Sequence, residues 1–163
     1  MISVTILCKN SSTTLFDVLQ SVAGFNEVIL IDTGSTDGSM DIAKGFSNVT
    51  LYERPFTSFG PMHNEAATLA SHDWILSLDS DEVLTSELAS EILTLDLDTD
   101  YLYGFRFDNF FKGKQIKHSG WSPDKHVRLY NKKITQFSNA SVHESIQRQG
   151  LKVRYLKGHV KHY

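Results

Sequence analysis

The chain has 163 residues, enough for one compact domain with a single sizeable core. Hydrophobic residues make up 40% and charged residues 21%, which excludes the low-hydrophobicity, high-charge composition of a disordered segment. A formal net charge of -3 without any Lys/Arg-rich run argues against a nucleic-acid partner, and the lone Cys8 excludes an internal disulfide or a cysteine-based zinc site.

The longest apolar stretches are strand-sized, and no basic segment followed by a hydrophobic leader opens the chain. Neither secretion nor membrane spanning is expected, and a cytoplasmic location fits. The first half alternates short apolar runs with segments of helical period, the pattern of βαβ units and a largely parallel sheet. Strands are expected at residues 2–8, 27–31, 49–52 and 74–78. Helices are expected where Leu15, Val18, Leu19 and Val22 recur, at 39–46, at 61–69 with Pro61 in the first turn, and at 86–93. From Tyr101 the texture turns aromatic and alternating, with strand-like runs at 101–107, 115–118, 127–130 and 153–156 that read as a meander or mixed-sheet extension. No repeat or linker divides the chain. The expectation is one domain over 1–163, with a nucleotide-binding half over about 1–100 and an acceptor-side half over about 101–163. Residues 158–163 still read as folded chain, which leaves room for a longer parent protein truncated here at its C-terminus.

The strongest local signal is WILSLDSDE, residues 74–82, where an apolar strand ends in two aspartates one residue apart. In extended chain Asp79 and Asp81 point to one side, at the strand end where open α/β sheets bind ligands. Carboxylate oxygens there suit Mg²⁺ or Mn²⁺ bridging to a diphosphate. The plain alternative is a solvated acidic turn before a helix. VILIDTGSTDGS, residues 28–39, delivers Asp32 into a Gly/Ser/Thr loop, where it can accept hydrogen bonds from a ribose or base; alternatively it forms an Asx-type turn, with Asp37 as helix cap. The first strand also ends in polar residues, Lys9, Asn10, Ser11 and Ser12. Three polar strand ends in one half-sheet make a single crevice the more economical reading.

The ordered set VTILCKN, VILIDTGSTDGS, FGPMHNEAA and LSLDSDE resembles the family 2 glycosyltransferases of GT-A fold. GWSPDKHVRLY, VHE and GHVKHY resemble the branch that includes lipopolysaccharide-core β-glucosyltransferases of bacteria. The resemblance covers nearly the whole chain. It implies a mixed, mostly parallel sheet flanked by helices, a nucleotide-diphosphate-sugar donor with UDP favoured, a divalent metal, and inversion at the anomeric carbon. By the same resemblance Asp32 contacts the donor's nucleoside, Asp79 lies at its ribose or sugar side, Asn64 beside it with His63 where the family usually has Arg, and Asn10, where the family commonly has Asn-Glu and this chain Asn10-Ser11, binds substrate. Asp81 is implied to bind metal and diphosphate, with His162 or His159 as the C-terminal metal-ligand histidine.

A base for the acceptor hydroxyl is implied at Glu144, with Asp124 as competitor. Trp121 is either a sugar-stacking residue or a partly buried core tryptophan. Arg128 is placed to bind a phosphate or to pair with Asp124. The implied acceptor is a cell-envelope glycan or lipid-linked molecule, with peripheral association at the inner face of the cytoplasmic membrane. Two other functions compete: a non-catalytic nucleotide-sugar binding fragment, and a DxD phosphatase, against which stand the two βα units preceding the motif.

Overall fold

The computed structural model describes residues 1–116, 124–139 and 144–163. Four strands form a parallel block: β1 (Ile2–Cys8), β2 (Glu27–Asp32), β3 (Val49–Glu53) and β4 (Trp74–Asp79), in spatial order β3-β2-β1-β4. Every residue of β1 is buried because helices cover both faces of the sheet, so that Ser3 and Thr5, which alternate with Ile2, Val4 and Ile6, are buried as well. On one face, α1 (Leu15–Ser21), α2 (Ser39–Lys44) and α4 (Ser86–Leu93) pack over Val4, Ile6, Val28, Leu30 and Leu76. On the other, α3 (Phe59–Leu69) covers Leu7 and Ile31 with Met62 and Ala66.

The second half continues the same sheet as β4-β8-β6-β9-β5. Here β5 is Glu82–Leu84, β6 Tyr101–Phe111, β8 Asp124–Asn131 and β9 Lys152–His162, while β7 (Lys114–Gln115) pairs with β6. This is not a meander, because β6 lies between antiparallel β8 and parallel β9. Nor do the strands stop where apolar alternation stops. Asp108 and Asn109 keep β6 in register with β9 by pairing with Lys161 and His162. Three-residue β5 was too short to show any period in the sequence. Lys112 and Gly113, both at positive φ, close the β6–β7 hairpin with the turn such ribbons favour. Gly158 lets α4 lie directly on β9, since a Cβ there would stand 2.5 Å from the Cα of Leu88.

Candidate active site

The carboxyl ends of β2 and β4 flank that of β1, so Asp32 and Asp79 lie at the same edge of the sheet. Asp32 is 3% exposed. Its carboxylate accepts from the backbone N–H groups of Gly34 (3.1 Å) and Ser35 (3.0 Å), the Asx-type arrangement. Asn10, at φ 52°, ties the two loops together. Its Oδ1 accepts from Thr36 N–H at 2.8 Å, and its own N–H donates to Ser35 Oγ at 2.8 Å. Asn10 and Asp32 therefore shape the loop rim, with much of their hydrogen-bonding capacity spent within it.

The DSD segment is not extended. The chain turns after β4, and Ser80 is pinned by Thr14 Oγ1, which donates to its carbonyl at 2.7 Å, and by the Ser11 hydroxyl at 2.6 Å. The alternation that would aim both aspartates at one point lapses in this turn. Asp79, its side chain 38% exposed, accepts from Arg128 Nη2 at 3.0 Å. Asp81 stays 41% exposed, its Oδ2 3.7 Å from Nε2 of His162.

Beneath Asp79 lies an ionic cluster that the sequence did not announce. Glu82, 2% exposed, accepts from the N–H of Asp79 at 3.0 Å and pairs with the same Arg128 Nη2. A β-bulge delivers that guanidinium: β6–β8 pairing steps from Tyr103↔Leu129 to Gly104↔Val127, leaving Arg128 as the extra residue. The expected Arg128–Asp124 pair is therefore absent. Asp124 instead binds His126 Nε2 at 2.7 Å and accepts from Asn109 Nδ2 at 3.0 Å. Burial pushes the Glu82 carboxyl up to about 7 against the pull of Arg128. Burial would also raise Asp79, but Arg128 and His63 hold it below the usual carboxylate range. His63 is buried between Asp79, 4.0 Å from its Nε2, and the stacked ring of Phe137, and burial lowers it to about 4, so it is neutral at pH 7.

His162 and His159 separate onto opposite faces of β9, three residues apart in regular register. Nδ1 of His162 bonds Asn109 Oδ1 at 2.8 Å, and the Asp81 carboxylate beside its Nε2 raises its pKa against partial burial. His159 pairs at 3.0 Å with Asp108 and is not brought to Asp81. A cavity of about 1100 Å³ opens from Asp79 and Glu82 over Phe107, Asp124, Arg128 and His162. Among the described residues no group of three His, Cys, Asp or Glu side chains could hold a metal ion.

On the α3 side, Asn64 does not stand free beside the crevice. Its side chain clamps the backbone of Phe137 in both directions, accepting at 2.9 Å and donating at 3.0 Å. Phe137 bridges Ile146, and Ser138 N–H donates to Ser145 O at 2.9 Å, so the segment carrying Glu144 is held against the first turn of α3. There Gly60 admits the Ser138 carbonyl, which would stand 2.0 Å from any Cβ, with Glu144 Cβ 3.5 Å from the same point. A helical Gly→Ala change ordinarily stabilises by about 1 kcal/mol. Gly60→Ala should instead destabilise by about 1–3 kcal/mol, because backbone must move, and urea unfolding would read the sign. Trp121 lies outside the described residues.

The model of glycosyl transferase family 2 matches residues 3–154, and the chain belongs to that family. An uncharacterized glycosyltransferase of Rickettsia prowazekii is 31% identical over 153 residues, which cover 89% of this chain and 52% of that protein. The chain spans about half the length of the curated relatives it matches. Among solved structures, S. aureus TarS 1-349 in complex with UDP matches with a TM-score of 0.69 at 16% identity, covering 98% of this chain and 59% of that one. The mannosyltransferase of Pyrobaculum calidifontis in complex with GDP-Man and Mn²⁺ matches with a TM-score of 0.53 at 18% identity, covering 64% and 34%. The fold is GT-A.

His63, Glu82, Asn109 and His126 were not singled out as site residues from the sequence. Glu82 had one available signal, a third acid directly after the paired aspartates, His63 had its place where the family usually has Arg, and Asn109 and His126 had none stronger than alternation within β6 and β8.

Proposed function

We propose that this domain moves a sugar, with inversion, from a nucleoside diphosphate sugar, UDP favoured, to an acceptor hydroxyl on a cell-envelope glycan or lipid-linked molecule. The observation that carries the reading is the placement of the Asp32 loop, Asp79 and half-exposed Asp81 at one sheet edge, beside the cavity over Phe107 and Arg128. Bound UDP in TarS and bound GDP-Man with Mn²⁺ in the archaeal mannosyltransferase support a nucleotide-sugar donor and a divalent cation. The motif resemblance of the second half supports the cell-envelope acceptor and a place at the inner face of the cytoplasmic membrane. No helix among the described residues is long and apolar enough to cross a membrane.

The residues present fit a cation. Two ligands bound to one metal at about 2.1 Å each stand roughly 3–4 Å apart, and Asp81 Oδ2 and His162 Nε2 are 3.7 Å apart. Mg²⁺ or Mn²⁺ with few protein ligands takes its remaining positions from water and substrate phosphate. When bound, it supplies counter-charge to the leaving diphosphate. The Asp32–Asn10 loop forms the nucleoside wall, Asp79 faces the ribose or sugar, and Glu144 takes the acceptor proton as the hydroxyl attacks.

Calorimetry with UDP, with and without Mn²⁺, tests the reading. Wild type should bind UDP in a Mn²⁺-dependent way, and Asp81→Ala should abolish that dependence with the thermal midpoint unchanged. UDP affinity indifferent to both chelation and Asp81→Ala would reduce the motif to a turn.

A further inference from the structure

A row of side chains runs from the cavity lining at His126 and Asp124 to the turn after β4: His126, Asp124, Asn109, His162, Asp81. The links are 2.7, 3.0, 2.8 and 3.7 Å long in that order. Three are within hydrogen-bond distance, and the last is too long to be a hydrogen bond.

The chemistry of the partners fixes the direction of the middle links. An ionised carboxylate only accepts, so the Asn109 edge facing Asp124 must be the NH₂, as its 3.0 Å Nδ2–Oδ2 contact has it. The opposite orientation would set the amide oxygen against a carboxylate. Asn109 Oδ1 is thereby turned to His162, and a carbonyl oxygen also only accepts, so Nδ1 of His162 must carry the proton. In the neutral ring Nε2 is then the unprotonated nitrogen, and it faces Asp81 Oδ2.

We infer that Asn109 is a positioning residue: oriented by Asp124, it selects the Nδ1–H tautomer of His162 and leaves the Nε2 lone pair beside Asp81, where a divalent cation can take both. The inference rests on the proposed metal-dependent donor site. Without Asn109, the nearest acceptor for the ring is Asp81 itself. An Nε2–H bond to Asp81 would occupy both the lone-pair position and the carboxylate oxygen that the cation needs. Alternation along β6 places Asn109 on the His162 face and Asp108 on the His159 face, so the neighbouring acid cannot substitute.

The test has a readout that needs no metal. Long-range ¹H–¹⁵N spectra of the metal-free protein at about pH 8.5, above the ordinary imidazole range, report the His162 tautomer. Wild type should show Nδ1–H. Asn109→Leu, which fills a similar volume without an acceptor, should shift His162 toward Nε2–H, and the exchanged pair Asn109→Asp with Asp124→Asn, which keeps an acceptor facing Nδ1 and a donor between positions 109 and 124, should restore Nδ1–H. In parallel, Mn²⁺ affinity with UDP present should fall about 10–100-fold in Asn109→Leu and recover in the exchanged pair, the range usual for partners of a metal-ligating histidine. Thermal midpoints separate this from unfolding, since a purely structural asparagine would lower the midpoint without moving the tautomer. Nε2–H in wild type, or an unchanged tautomer in a folded Asn109→Leu, would overturn the inference. If the tautomer shifts as expected while wild type binds no Mn²⁺, the positioning role stands and the metal-dependent reading of the site falls.

Discussion

Replacing Glu144 by Gln is expected to lower sugar transfer by about 10²-fold or more at saturating donor, with UDP and Mn²⁺ binding unchanged. Glu144 is partly buried at the first turn of α3, beside Gly60. His63 stands one helical turn further along and faces Asp79, the residue proposed at the sugar side of the donor. We propose that the carboxylate held there takes the acceptor proton directly or through one water, and Gln keeps its volume while removing its basicity. Asp124→Asn should change apparent acceptor affinity instead, because Asp124 is committed to Asn109 and His126 and an amide oxygen can still accept from Asn109. Transfer assays on both variants decide between them. Equal or greater loss of turnover in Asp124→Asn, with Glu144→Gln near wild type, would move the base to Asp124.

The parallel half of the fold was readable in the sequence because burial makes β1, β2 and β4 short, largely apolar runs broken only by small Ser and Thr, each ending in polar residues. The second half was less so. The continuation of β6 through Asp108 and Asn109, and of β9 through His159 and His162, depends on polar pairing between strands about fifty residues apart. No local period encodes that. The same limit applies to the site. Asp79 and Asp81 stood out as a spaced pair, but the turn between them is set by Ser80 being held by Ser11 and Thr14, some 66 to 69 residues earlier. Arg128 was visible as a charge, but its pairing with Glu82 rather than Asp124 is decided by one bulge between β6 and β8.

Arg128→Met should cost about 3–5 kcal/mol of stability at pH 8, the largest stability loss expected from any single change in the site, because it leaves two carboxylates without their buried counter-charge. The loss should shrink on acidification. Glu82 is raised in the folded protein to about 7, against about 4.3 in the unfolded chain. Between those values the folded state holds the extra proton, so stability from this group is present below about 4.3 and falls as pH rises toward 7. Removing Arg128 removes the interaction that opposes that rise, which extends the loss to higher pH. Urea unfolding at about pH 5 and pH 8 should therefore give a smaller wild-type-to-variant gap at the lower pH. An equal gap at both would mean that Glu82 does not carry the proton.

Glu82 near neutrality by protonation and His63 neutral by deprotonation also set the field that an incoming donor meets. With Arg128 cationic and Asp79 anionic, the floor beneath Asp79 carries between none and one net negative charge at pH 7, rather than the full one that two ionised carboxylates and a guanidinium would leave. A doubly charged diphosphate can approach such a floor with little repulsion. Asp79 and Asp81 are similarly exposed, 38% and 41%, but Arg128 offsets the charge of Asp79 while Asp81 has only His162 beside it. The anionic charge not offset by an arginine is thus concentrated at the turn, where a small cation arriving together with the nucleotide would neutralise it.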